Sequence, residues 1–419
     1  MKDSFESIIG YEEVKSELRV ISDMINNPRM YSQMGAAMER GMILHGKPGT
    51  GKTTMADCLV RSTGRKCFIC RKKASDGEFV ETIVSTFEEA KKNAPSIVLL
   101  DDIDKFSDKS EDCESPEEYV TVQSCIDELS EDDEVFVIAT ANNVRRLPDS
   151  LLRPGRLGIN IRVRLPRKDE TAEIIKFYLD KANTSDDLDP VSIAMMLEGE
   201  SCAVLENIIK KSAVKAAYER QDCINMDNIV DACIDLVFQA SVFDRPYSEE
   251  ALRMSAYHEA GHALVSELLE PGSVSIASIR PSGSDKLGFV RYSRKSKEEK
   301  TFEDVVNTLK TSLAGKAATE IVFGEPDIGA NSDTHIAFDI AERLVDNYTA
   351  YGFHNWIQDG YADFSAQNRN QAMSIIMEEN YMEVKKLLIK NREKLDVIAG
   401  ELINRMTLVH SDIDKIMRG

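Results

Sequence analysis

The apolar run Gly41-Met-Ile-Leu-His45 leads directly into Gly46-Lys-Pro-Gly-Thr-Gly51-Lys52-Thr53, and a helical pattern follows without a break. A glycine-rich loop between a strand and a helix commits the chain around it to a parallel α/β sheet with the loop at its carboxyl edge. The loop fits G-x-x-x-x-G-K-[ST]. Gly46, Gly49 and Gly51 let backbone N–H groups turn inward on phosphates, Lys47, Pro48 and Thr50 fill the intervening positions, and the helix N-terminus adds a positive end. Lys52 is suited to reach the β/γ-phosphates and Thr53 to offer its hydroxyl to Mg²⁺.

The surrounding sequence agrees. Four further β-rich runs, Lys66–Cys70, Ser96–Asp101, Val135–Thr140 and Ile161–Leu165, alternate with amphipathic stretches, the pattern of a parallel sheet covered on both faces. From about Lys168 to Ala240 the pattern is helical throughout. Residues 241–250 interrupt it as a linker, with Ser248 as the expected N-cap of the next helix. Beyond lies a mainly helical region holding one expected hairpin, Val274–Arg280 against Leu287–Tyr292, and helical periodicity runs to the end. The expected divisions are 1–166, 167–240, 241–250 and 251–419.

Charge and cysteines narrow the function classes. Lys plus Arg number 52 and Asp plus Glu 72, so the formal charge is 52 − 72 = −20. Such an acid excess argues against a nucleic-acid partner. Eight cysteines, none beyond Cys233, form neither a disulfide framework nor paired zinc knuckles. Cys67 and Cys70 are expected to be core residues of a buried strand. The longest apolar runs fall far short of the ~20 residues of a membrane span.

Two more constellations carry chemistry. Ile97-Val-Leu-Leu-Asp101-Asp102 is a strand ending in two carboxylates; beside a phosphate loop, Asp101 suits the Mg²⁺ side and Asp102 the attacking water. Asn142 ends another strand, and Arg153 and Arg156 flank a Pro-Gly turn, as surface charge or as cations delivered to a neighbouring subunit's nucleotide. Farther on, His258-Glu259-Ala-Gly-His262 fits H-E-x-x-H within a helical stretch. Positions i and i+4 share one helix face, so both histidines can clamp one Zn²⁺ while Glu259 takes a proton from bound water. Gly261 costs about 1 kcal/mol in mid-helix relative to Ala, which implies a close backbone approach there. Glu320, Asp333 and His335 are all candidates for the third ligand, and spacing does not choose among them.

Together GKPGTGKT, the strand ending DDID, the ATAN strand and LLRPGR resemble an AAA+ ATPase module. Met254–Leu264, Leu313–Gly324 and Gly329-Ala-Asn-Ser-Asp333 resemble, in the same order, the zinc-peptidase motifs of the FtsH family of ATP-dependent zinc metalloproteases. The resemblance implies an α/β AAA+ module, with a parallel five-stranded sheet and a helical lid, followed by a mainly α zinc-metallopeptidase domain. It implies Zn²⁺ and ATP with Mg²⁺ as cofactors, protein or peptide substrates, and a homohexamer. It assigns Asp333 as the third zinc ligand, Glu320 as at most an outer partner, Asn142 as the sensor and Arg153 and Arg156 as trans-acting fingers. Ile9 and Gly10 are assigned to the adenine pocket.

The sequence also departs from the family. Members usually carry membrane spans ahead of the ATPase, which here begins within ten residues of Met1. Read as written, the chain is expected to be soluble and cytoplasmic, with membrane attachment only through a segment or adaptor outside it. Ser75-Asp76-Gly77 stands where the family's pore loop has an aromatic-hydrophobic-Gly tripeptide, with Phe79 the nearest aromatic. Asp102 stands where the family has Glu. These departures leave two alternatives to an ATP-driven endopeptidase: a zinc peptidase with a slow or regulatory ATPase, and a remodelling ATPase with weak proteolysis.

Overall fold

A computed structural model describes residues 4–36, 39–72, 79–107, 116–130, 133–186, 188–237, 247–281, 287–293, 301–325, 331–348 and 362–419. The chain divides into two compact units, 1–190 with 197–225, and 191–196 with 226–419. The division passes through the helical stretch 167–240. Its last helix, Met226–Val237, belongs to the second unit, where Asp231 accepts a hydrogen bond from Arg280 at 2.5 Å. Ser75–Gly77, Cys113, His354 and Trp356 lie outside the described residues, as does most of 241–250.

In the first unit α1 (Glu12–Asn26) and α2 (Pro28–Gln33) precede β1 (Gly41–His45). Then follow α3 (Lys52–Thr63), β2 (Lys66–Cys70), α4 (Phe79–Lys92), β3 (Ser96–Leu100), α5 (Glu117–Asp127), β4 (Val135–Ala141), β5 (Ile159–Arg162) and α6 (Lys168–Leu179). The five strands form one parallel sheet in the order β2-β3-β4-β1-β5. Its middle strands β3 and β4 are buried along their whole length, as continuous apolar runs require. The expected strand 161–165 is shifted: pairing spans Ile159–Arg162, since β5 is an edge strand that hydrogen-bonds only to β1. The other edge corrects a second expectation. β2 has a single neighbour, so Cys67 is only half-buried while Cys70 is buried, and burial raises both thiols to about 11. Phe79 is buried and meets Phe106 edge-to-face at 4.8 Å between centroids, so it is a packing residue.

After α7 (Pro190–Met196), α8 (Cys202–Tyr218) and α9 (Met226–Val237), the second unit is built around α10 (Glu249–Leu269). Ser248 caps that helix, accepting from the Ala251 N–H at 3.1 Å. β6 (Val274–Pro281) and β7 (Leu287–Tyr292) form the expected hairpin. α11 (Phe302–Phe323), α12 (Asn331–Asp346), α13 (Ala362–Lys390) and α14 (Arg392–Arg405) follow. The expectation of helix to the end needs correction, because β8 (Thr407–Val409) separates α14 from α15 (His410–Arg418). β8 pairs antiparallel with β6 and makes the sheet β7-β6-β8. Met406, left-handed at φ 62°, ends α14 and turns the chain into that strand. No helix among the described residues is long and apolar enough to cross a membrane.

Candidate active sites: a phosphate loop and a metal centre

Strands β3, β4 and β1 are neighbours, so the residues that follow them meet at one carboxyl edge. Lys52 is buried at the start of α3, and its ammonium donates to Gly46 O and Lys47 O at 2.9 Å and to Asn142 Oδ1 at 2.8 Å. Burial pulls its pKa down, against the charges of Asp102 and Asp104. Asp101 is buried and accepts from Thr140 at 2.7 Å and from the Thr53 hydroxyl at 3.2 Å. Asp102 is left-handed at φ 55°, a region that Asp tolerates better than most residues. Its carboxylate accepts from Asn142 Nδ2 at 3.1 Å and pairs with Lys105 at 2.7 Å. The sequence reading passed over Asp104, which accepts the backbone N–H of Asn142 and of Asn143 and so holds the backbone that carries the Asn142 side chain.

The loop itself is held from the lid side. Ala203 N–H at the start of α8 donates to Gly49 O at 3.0 Å, and a Cβ on Gly49 would lie 2.8 Å from Ser201 Oγ. Lys47 and Pro48 are exposed while Thr50 is buried. Ile9 is half-buried. Gly10 (φ 67°) turns the chain toward Tyr11, whose N–H donates to Glu170 at 3.0 Å. Nothing here brings Arg153 or Arg156 to this edge. Both line a cavity of about 960 Å³ with Arg40, Arg65 and Glu134, residues at the opposite, amino edge of the sheet. Arg156 is held there by Asp127 at 2.7–2.8 Å, whereas Arg153 is exposed and makes no ion pair among the described residues.

The second unit supplies the metal centre. One helical turn puts His258 and His262 side by side on α10, with their Nε2 atoms 3.1 Å apart. Asp333, on the first turn of α12, brings Oδ2 to 3.1 Å from His258 Nε2 and 3.3 Å from His262 Nε2. Ligand atoms at about 2.0–2.1 Å from a tetrahedral zinc lie about 3.3 Å from one another, so this triangle fits one zinc ion. Thr311 O, on α11, accepts from His262 Nδ1 at 2.7 Å; a carbonyl can only accept, so in the neutral imidazole the Nε2 lone pair is left for a metal. Burial acts to raise the Asp333 carboxyl, but the hydrogen bonds and charge of both imidazoles hold it far below the usual range.

Close helix packing makes the triangle. A Cβ on Gly261 would lie 2.6 Å from Ala314 O and from Ala318 Cβ, which is the close approach its mid-helix position implied. Two glycines at the site escaped the sequence reading. A Cβ on Gly315 would lie 2.6 Å from Nε2 of both histidines, and one on Gly288 (φ 95°, β7) would lie 2.6 Å from Glu259 Oε1. A glycine in the middle of a long helix was the available signal for Gly315. Glu259 is buried beside the triangle, and Ser255 donates to Leu287 O at 2.9 Å, pinning the start of β7 over it. The other candidate ligands point elsewhere. Glu320 takes Tyr381 at 2.5 Å and Lys385 at 2.6 Å, joining α11 to α13, and His335 is exposed on α12.

Known proteins match both regions of the chain. Residues 42–165 match the ATPase family associated with various cellular activities (AAA), and residues 245–416 match peptidase family M41. A relative from Lachnoclostridium phytofermentans, named ATP-dependent zinc metalloprotease FtsH, is 32% identical across 98% of this chain and 74% of its own length. Proteins of the same name from Mycoplasma genitalium and Thermus thermophilus are 31% and 30% identical. They match 98% and 100% of this chain over 62% and 71% of their own lengths.

Proposed function

Since the chain belongs to the FtsH family of ATP-dependent zinc metalloproteases, we propose that its zinc is held by His258, His262 and Asp333, with Glu259 as the general base. The observation that carries this assignment is the 3.1–3.3 Å triangle of ligand atoms. Zinc and ATP with Mg²⁺ are the cofactors, and neither alternative, a peptidase with a regulatory ATPase or a remodeller with weak proteolysis, is favoured. Zinc supplies Lewis acidity toward a bound water and a peptide carbonyl. Glu259, buried beside the triangle, would serve as the base that takes a proton from the attacking water and returns it to the leaving amine. Asp333, 27% exposed at its side chain, marks the open side of the site. β7 is an outer strand of its sheet, and its edge can take an extended peptide by strand addition beside Glu259.

In the ATPase, Gly46–Thr53 hold the phosphates, Asp101 the Mg²⁺ side and Asp102 the attacking water, with Asn142 contacting the terminal phosphate. The position of Ile9 and Gly10 before Tyr11 supports their lining the adenine pocket. Residues 1–166 then act as nucleotide domain, 167–240 as lid, 241–250 as linker and 251–419 as peptidase. The lysine and the fingers lie at opposite edges of the sheet, separated by strands that rise about 3.3 Å per residue. That separation supports fingers acting in trans and hence a homohexameric ring that unfolds protein substrates and feeds them to the zinc. The test is hydrolysis of casein and of a short fluorogenic peptide, each with and without ATP. Glu259→Gln abolishes both activities with zinc and ATP binding intact, and Lys52→Ala abolishes the ATP-dependent part. Normal casein cleavage by Glu259→Gln would sink the assignment.

A further inference from the structure

Arg71 follows β2 directly, and its guanidinium contacts Asp101 Oδ2. The phosphate-loop pattern calls for no cation at that position. Asp101 already takes the Thr140 and Thr53 hydroxyls on its other oxygen. Its side chain is 1% exposed, whereas that of Arg71 is 55% exposed. A carboxylate so deeply buried needs a counter-charge, and Arg71 supplies it. Thr53 and Asp101 are also the residues read above as the Mg²⁺ side of the site. A divalent cation there and a guanidinium on the same carboxylate repel each other at a few ångströms. Arg71 stands on a half-exposed stem and turns away at small cost. A nucleotide bound at the phosphate loop would bring its polyphosphate to that edge, as a further anion beside Asp102 and Asp104. Lys105 on Asp102 is a weaker parallel, since Lys105 is exposed and Asp102 only partly buried, so solvent screens the pair.

We propose that Arg71 is a stand-in cation. It holds Asp101 while Mg²⁺ is absent and passes to the nucleotide phosphates when Mg²⁺ takes the carboxylate, so that it sets the Mg²⁺ dependence of nucleotide binding. The inference rests on the reading of Asp101 as the Mg²⁺-side ligand. Arg71 is thus a positioning residue, and a purely structural arginine would leave that dependence unmoved. The test uses the full chain and a fluorescent, non-hydrolysable ATP analogue, titrated with Mg²⁺ and separately in EDTA.

In Arg71→Met and Arg71→Gln the Mg²⁺ concentration at half-effect falls roughly three- to fivefold, the upper end of one ion contact at a half-exposed site. Affinity for the analogue at saturating Mg²⁺ falls by a similar factor, because the phosphate contact is made only once Mg²⁺ holds the carboxylate. Arg71→Lys stays within about twofold of the parent in both. Either quantity unchanged in both neutral variants overturns the proposal. Asp101→Asn separates the two levels: a Mg²⁺ response that survives it overturns the assignment of Asp101 itself, whatever Arg71 does.

Discussion

Of the glycines at the metal centre, Gly315 is the one whose replacement is most informative. Ala is favoured over Gly by about 1 kcal/mol in an isolated helix, so Gly315→Ala ought to strengthen α11. Its Cβ, however, would sit 2.6 Å from both metal-facing nitrogens. Gly315→Ala is therefore expected to lose zinc affinity on the order of ten- to a hundredfold, as outer-contact changes at zinc sites do, while thermal stability without metal holds or rises. Zinc content after dialysis against a weak chelator checks it, and a full complement of zinc would refute it. Asp102 sets a second contest of magnitudes. Glu would advance the carboxylate by about 1.5 Å, and a 1 Å misplacement of a reacting group costs about a hundredfold. Against that stand the left-handed backbone at 102 and the exposed Lys105 pair, together about 1–2 kcal/mol. Asp102→Glu is expected to raise kcat for ATP several-fold with little change in nucleotide affinity. A fall in kcat would mean that Asn142 and Lys105 have settled around the shorter side chain.

The elements that could be read from sequence are those whose signals are local. A buried strand beside a glycine-rich loop, and two histidines one helical turn apart, need no knowledge of what packs against them. β8 is three residues long between helices and exists only because β6 offers it a partner, so no periodicity announces it. Gly288 and Arg71 likewise owe their places to Glu259 and Asp101, remote in sequence. Glu170 is another such link. On α6 it accepts from Arg164 at 2.5 and 2.9 Å and from the N–H groups of Arg167 and Tyr11, tying the Ile9–Gly10 segment to the lid helix. Burial acts to raise its carboxyl, but the Arg164 and backbone hydrogen bonds win and lower it to about 2. Folding thus favours the ionised form. The stability it contributes is complete above the ordinary glutamate range and is lost as pH falls through about 2. Glu170→Gln should be clearly destabilised at pH 7, and the gap to the parent should close as pH falls. A gap that widens on acidification would show the carboxylate to be uncoupled from folding.

At the scale of the whole molecule, fingers acting in trans as proposed would leave one chain an incomplete ATPase. Arg156 is held by Asp127 at 2.7–2.8 Å and by Ser150 O at 2.7 Å, so its charge is already engaged within its own chain. Arg153 is exposed beside it with no ion pair among the described residues, which makes it the better candidate to meet a neighbour's terminal phosphate. An arginine supplied in trans contributes on the order of 10³-fold or more to phosphoryl transfer, so Arg153→Ala and Lys52→Ala rings should each be nearly inactive alone. Mixed before assembly, the two variants form some interfaces that pair an intact phosphate loop from the Arg153→Ala chain with an intact finger from the Lys52→Ala chain. Those interfaces should recover turnover, to about a quarter of the parent rate for random neighbours at equal mixing. Specific activity of the parent should also fall on dilution if, as proposed, a ring brings the two halves of the site together. Mixed rings without recovery, or constant activity in a demonstrated monomer, would place the source of the second charge within the chain itself, where Arg71 and Lys105 are the cations nearest the two carboxylates.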